Sequence, residues 1–104
     1  MRAAAFALSS TVEPGATITR YDGSRIMEWF TPSDSTCVRR AGYDGKRREL
    51  RIVYENGREY GYRDVPPRVF RDMVDIDRTG NSVGQFVNWV VKPIFRDCFE
   101  VVDN

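Results

Sequence analysis

The residues of this chain best suited to chemistry are arginines and tyrosines, and they crowd into one stretch. Residues 39–71 carry ten basic groups against five acids, interleaved with Tyr43, Tyr54, Tyr60 and Tyr62. Cations that track phosphates beside rings that stack on bases suit single-stranded nucleic acid. The candidates are Arg39, Arg40, Lys46, Arg47, Arg48, Arg51 and Arg63 for phosphate, with Tyr60 and Tyr62 to stack or support. All sixteen cations except Lys46 and Lys92 are arginine, whose planar fork matches phosphate and carboxylate. The plainer alternative is a solvated arginine face over a tyrosine core. A total charge of +1 weighs toward it, because nucleic-acid-binding domains carry a clearly basic balance.

Other chemistries find little support. Without histidine there is no imidazole acid–base pair, His-containing triad or imidazole metal site. Neither GxxxxGK[ST] nor GxGxxG occurs. Asp75-x-Asp77-x-Thr79-Gly80 echoes the start of a calcium loop. Its twelfth position is Phe86, which supplies no carboxylate, so it reads as a solvated, helix-capping loop, with a weak cation site as the alternative. No catalytic residue, metal or cofactor is therefore expected. Cys37 and Cys98 share no CxxC spacing and read as two small buried hydrophobes of a reduced, cytoplasmic protein.

These side chains depend on a hairpin for their positions. Leu50, Ile52 and Tyr54 alternate with Arg51, Val53 and Glu55, and Asn56-Gly57 marks the turn into Tyr60-Gly61-Tyr62. A two-residue turn pairs Val53 with Tyr60 and Arg51 with Tyr62, turning both tyrosines away from the apolar face. A three-residue loop with Gly57 left-handed pairs Ile52 with Tyr60 and Leu50 with Tyr62, and gathers all five apolar groups on one side. Burying a large apolar side chain contributes about 1.5–3 kcal/mol, which favours the bulged register.

The remaining chain supplies the layers. Residues 1–16 read as an irregular arm; the run Ala3–Leu8 is at the short limit for a signal peptide. Residues 17–30 read as a hairpin about Asp22-Gly23, with a short helix over 24–30 as competitor. Strands at 36–43, 48–55 and 58–63 form a meander that turns tightly at Asp44-Gly45. Pro67 opens a helix with Val69, Phe70, Met73 and Val74 on its inner stripe. Ser82 caps a second helix, with Phe86, Val87, Val90 and Val91 inward and Pro93 as its stop. Residues 94–102 read as a last strand or extended arm, mostly covered. Asn88 reads as a structural amide tying the second helix to the turn before Ser82, with a ligand contact as the alternative.

Residues 35–95 resemble the KTSC domain, named for the C-terminus of some lysyl-tRNA synthetases. The matching elements are Ser35, Val38, Ala41-Gly42-Tyr43-Asp44, Leu50-x-Ile52-x-Tyr54, Gly57, Tyr60-x-Tyr62, Val65-Pro66 and Ser82-x-Gly84-x-Phe86-x-Asn88. The motif positions are thus Tyr43, Tyr60, Tyr62, Pro66, Ser82, Gly84 and Asn88. The link at 75–81, Trp89, and Pro93 at a position that tends to be basic depart from the pattern. The resemblance implies a small stand-alone bacterial or phage protein without established function, for which RNA binding is suggested by the synthetase context.

Together these readings give an α+β fold, an antiparallel β-meander of three or more strands packed against two short helices. The division is an N-terminal extension over 1–34, a KTSC-like domain over 35–95 and a tail over 96–104. The expected function is non-enzymatic binding of RNA or single-stranded nucleic acid by a cytoplasmic protein. The alternative is an accessory module that docks on a larger protein, in which case Trp29, Phe30, Trp89 or Phe99 form an exposed apolar patch. No apolar run approaches the roughly 20 residues of a membrane span, so no membrane partner is expected.

Overall fold

The computed structural model describes residues 17–22, 25–33 and 37–102. The expected N-terminal arm, the Gly23 turn and Ser35 of the motif lie outside them. Six strands run in chain order through one antiparallel sheet: β1 Thr17–Asp22, β2 Arg25–Phe30, β3 Val38–Asp44, β4 Glu49–Tyr54, β5 Glu59–Tyr62 and β6 Cys98–Val101. The hairpin reading of 17–30 holds, and the meander extends to both sheet edges.

The central hairpin takes the bulged register, pairing Leu50 with Tyr62 and Ile52 with Tyr60. Gly57, at φ 91°, occupies the left-handed position that a three-residue loop demands. The Tyr54 N–H donates to the Arg58 carbonyl at 2.8 Å to close the loop. The β3–β4 connection is longer than the expected tight turn. Asp44 Oδ1 accepts from the Lys46 and Arg47 backbone N–H groups, and the left-handed residue is Arg48, not Gly45.

Helices cover one sheet face. α1 (Pro67–Arg78) starts at Pro67 as expected and buries Val69, Phe70, Met73 and Val74. Tyr43 stacks on Phe70 with ring centroids 5.6 Å apart, while its hydroxyl donates to the Val65 carbonyl. Ser82 Oγ accepts from the Gln85 N–H and caps α2 (Val83–Phe86), in which Gly84 is buried. Helical backbone then runs through a π-helical turn, Val87–Val91, into α3 (Lys92–Ile94). Pro93 therefore lies inside the last turn and does not end it. It has no N–H for the Trp89 carbonyl, and just before it the bonding slips by one residue, with Lys92 N–H donating to Val87.

Three expectations about local packing fail. Asn88 is exposed and its side chain makes no hydrogen bond among the described residues, so it ties nothing. The segment after the helices is largely open, with Val102 69% exposed, because β6 is an edge strand. Both cysteines are exposed and free. Cys37 precedes β3 while Cys98 opens β6, three strand spacings away, or about 14 Å. That exceeds the roughly 7 Å Cα separation a disulfide tolerates.

Candidate nucleic-acid interface

The site is built on the sheet face that no helix covers. Cross-strand pairing aligns Ile18, Trp29, Gly42, Arg51, Gly61 and Phe99 in a single row over all six strands. The two glycines leave gaps that neighbouring rings fill. A β-carbon at position 42 would stand 2.6 Å from Trp29 ring atoms, and one at 61 would collide with the tip of Phe99. Arg51 sits between them, so the row reads ring, glycine, arginine, glycine, ring.

Guanidinium groups lie over those rings. Arg40 is 5.0 Å from the Trp29 centroid, and Arg63 is 4.2 Å from that of Phe99. Neither ring therefore keeps a free outer face for a base. What the stacking does is hold the two guanidinium planes in place, with the edge N–H donors of Arg40 left for anions and those of Arg63 shared with Asp97.

Beside this row runs a ladder of alternating charge. Arg25 donates to Asp44 at 3.0 Å and pairs with Glu49 at 2.9 Å. Arg51 bridges Glu49 and Glu59, at 2.5 and 2.9 Å. Arg47 adds a contact to Asp44 at 3.2 Å. Burial alone would push the Asp44 carboxyl up. The Arg47 backbone N–H and the Arg25 and Arg47 side chains outweigh it and hold the carboxyl below its ordinary value. Glu49 is held low in the same way, its burial outweighed by hydrogen bonds from Arg25 and Arg51.

The expected cation set is thus divided. Arg39 and Arg40 are exposed on the open face; Arg39 donates to the Glu55 carbonyl at 2.9 Å and keeps a loose 3.8 Å approach to its carboxylate. Arg51 is committed to two carboxylates in the floor. Arg63 pairs with Asp97 at 3.0 Å near the β6 edge. Lys46 and Arg47 belong to a different hollow, between the β1–β2 hairpin and α1, and Arg48 is exposed in the turn. Tyr60 and Tyr62 lie on the helix-covered side, Tyr62 at 3% exposure, so the open face is assembled without them.

The sequence reading missed three other arginines. A groove of about 760 Å³ on the open face is lined by Arg20, Arg25, Arg39, Arg40, Arg51 and Arg58 against Glu59 and Glu100, with Met27, Trp29 and Val53 among its apolar lining. Arg20 and Arg25 precede the basic stretch in sequence, and only the pairing of β1 with β2 and of β2 with β3 carries them beside it.

The expected apolar patch is scattered. Phe30 is buried at 2%, Trp29 and Phe99 are half-buried on the open face, and Trp89 stands 78% exposed on the π-helical turn. Asp77, second acid of the calcium-loop echo, is buried and accepts from the Ser33 N–H and hydroxyl at 2.8 and 3.0 Å. Among the described residues no group of three or more potential ligands could hold a metal ion. Among the same described residues no helix is long and apolar enough to cross a membrane.

Similar proteins share this framework. A protein of Tsukamurella paurometabola is 40% identical over 65 residues, covering 62% of this chain and 91% of its own length. An uncharacterised protein of Stutzerimonas stutzeri is 34% identical over 59 residues, or 57% of this chain and 78% of that protein. The crystal structure of a KTSC domain protein from Yersinia pestis superposes with a TM-score of 0.58 at 30% identity, spanning 73% of this chain and 99% of that one. Nothing in these relatives supports the link to lysyl-tRNA synthetases from which the resemblance drew its suggestion of RNA binding. The KTSC domain model matches residues 34–95, and the chain belongs to the KTSC domain family.

Proposed function

We propose that this protein is a non-enzymatic module that binds single-stranded nucleic acid by its backbone, on the helix-free face of the sheet. The observation that carries the reading is the groove with six arginines against two glutamates. Arg40, seated on Trp29, supplies a donor set oriented before the ligand arrives, which lowers the ordering cost of binding. With the ring faces occupied, contacts go to phosphates, so little preference for base identity is expected. Two exposed, unpaired cysteines fit the reducing environment of a cytoplasm.

The test is anisotropy of a labelled single-stranded RNA over a salt series. Binding at low salt that falls steeply as salt rises supports the reading; no retention at low salt overturns it. A second reading, docking on a larger protein, is favoured by Trp89, which stands 78% exposed on a rigid helical turn. Stoichiometric co-purification of one defined host protein, lost on Trp89→Glu, would support that reading. A monodisperse chain with no such companion would speak against it.

A further inference from the structure

The Tyr60-x-Tyr62 pair takes no part in the open-face groove, yet it lines a hollow of its own. Tyr54, Tyr60, Tyr62 and Cys98 on the sheet meet Lys92, Phe95 and Arg96 from the end of the helical rod around a space of about 400 Å³. That lies within the range of roughly 300–1,000 Å³ seen for small-ligand sites. We propose that this hollow is a mononucleotide site, in which the base packs on the aromatic walls and the phosphate is held by Lys92 and Arg96.

Three observations set the hollow apart from a stretch of ordinary core. Its lining holds two cations and no carboxylate. Arg96 has no ion pair, hydrogen bond or ring contact among the described residues. The acid next to it in sequence, Asp97, is committed to Arg63. Finally, the Tyr54 hydroxyl is buried without a hydrogen bond of normal geometry, interacting with the Tyr62 hydroxyl beside it, so polar groups lie behind the aromatic walls.

The walls suit a flat ring. Tyr54 and Tyr60 meet edge to face, with centroids 5.8 Å apart and planes at 71°, so they form a corner and not a closed stack. Tyr54, Tyr60 and Phe95 are each only partly buried, which leaves aromatic surface for a base. The Lys92 ammonium already lies 5.7 Å from the Tyr54 centroid, over the ring. An ammonium and a guanidinium beside an aromatic corner match a phosphate attached to a planar heterocycle. The phosphate could belong to a free mononucleotide or to the phosphorylated end of a strand. The chemistry recognised is the same. This site shares no residue with the open-face groove, so each reading can fail without the other.

The test is amide NMR on the full chain, titrated separately with adenosine monophosphate, adenosine and inorganic phosphate. The nucleotide should bind saturably, with shifts at residues 54, 60, 62, 92 and 94–98. The two fragments should each bind at least about tenfold more weakly. Lys92→Glu and Arg96→Glu alter exposed side chains, so the fold should survive; each should weaken the nucleotide at least about tenfold, whereas Arg40→Glu should leave it unchanged. A strand with a terminal phosphate that shows the same Arg96 dependence would assign the site to strand ends. A mononucleotide bound with that Arg96 dependence, where such a strand does not bind, would assign the site to free nucleotide. Inorganic phosphate binding as tightly as the nucleotide, shifts confined to the Trp29 face, or no saturation would each overturn the proposal.

Discussion

Trp29 lies across Gly42, its ring atoms standing where a side chain at position 42 would be. A β-carbon there would approach them to 2.6 Å, so Gly42→Ala must displace the indole, and with it the guanidinium of Arg40. Overpacking of this kind costs about 1–3 kcal/mol, which urea denaturation would read as a lowered midpoint. Adding Trp29→Ala should remove most of that penalty; additive losses in the double variant would show that the two positions do not interact.

Tyr43 offers a separate test of the α1 face. Its ring stacks on Phe70 and its hydroxyl satisfies the Val65 carbonyl in the break before Pro66. Tyr43→Phe keeps the stack and leaves a buried acceptor unpaired, at a cost of about 1–3 kcal/mol. The same change at exposed Tyr21 should alter the denaturation midpoint hardly at all.

The charge ladder predicts sensitivity to acid. Asp44 and Glu49 both have folded-state values below their ordinary ones, so the unfolded chain binds protons more readily than the native one. Their stabilisation is complete above the ordinary carboxylate range near pH 4. It declines as pH falls through that range and is gone once the depressed folded values are passed. Thermal unfolding from pH 6 down to 2 should show a falling midpoint that Glu49→Gln flattens.

At the alkaline end the sign reverses. Burial pushes the phenols of Tyr43, Tyr54 and Tyr62 above their ordinary value, with neighbouring Tyr54 and Cys98 adding to the effect at Tyr62. Stability held by these neutral phenols is full below about pH 10 and is lost as pH climbs toward their raised folded values. Tyrosinate absorbance from this set should appear together with loss of the native circular dichroism signal. Its appearance well before unfolding would contradict the burial of these rings.

Arginines that look alike in sequence should separate by function. Arg40→Ala and Arg58→Ala remove cations from the open groove and should weaken strand binding and lower the salt slope by roughly one each. Arg51→Ala instead strands Glu59 in the floor and leaves Glu49 with Arg25 alone, so its main effect should be on the denaturation midpoint.

How much of this could be read in advance follows from range. The bulged register of β4–β5 was legible because Asn56-Gly57 and the alternating apolar residues lie within a dozen positions, and burial decides between two discrete pairings. Pro67 and Ser82 marked helix starts for equally local reasons. The ladder was not legible: Arg25 meets Asp44 and Glu49 only after three strands are set side by side. The exposed cysteines, the Phe99–Gly61 contact and the Tyr54–Lys92 hollow likewise depend on where β6 and the helical rod come to rest. The π-helical turn ahead of Pro93 has no pattern of its own in the residues.

From β1 to β5 each strand lies beside the one just before it in the chain, and of the pairings in the sheet only β5–β6 waits on a distant segment, the 35 residues that carry the helices. Loop-closure entropy is small at each step of the β1–β5 meander, and local pairings of this kind form quickly. Refolding should then be a single exponential completed within milliseconds, with β3–β4–β5 as the region whose substitutions slow it most. The two outermost ribbons, β1 and β6, would zip on last and fray first.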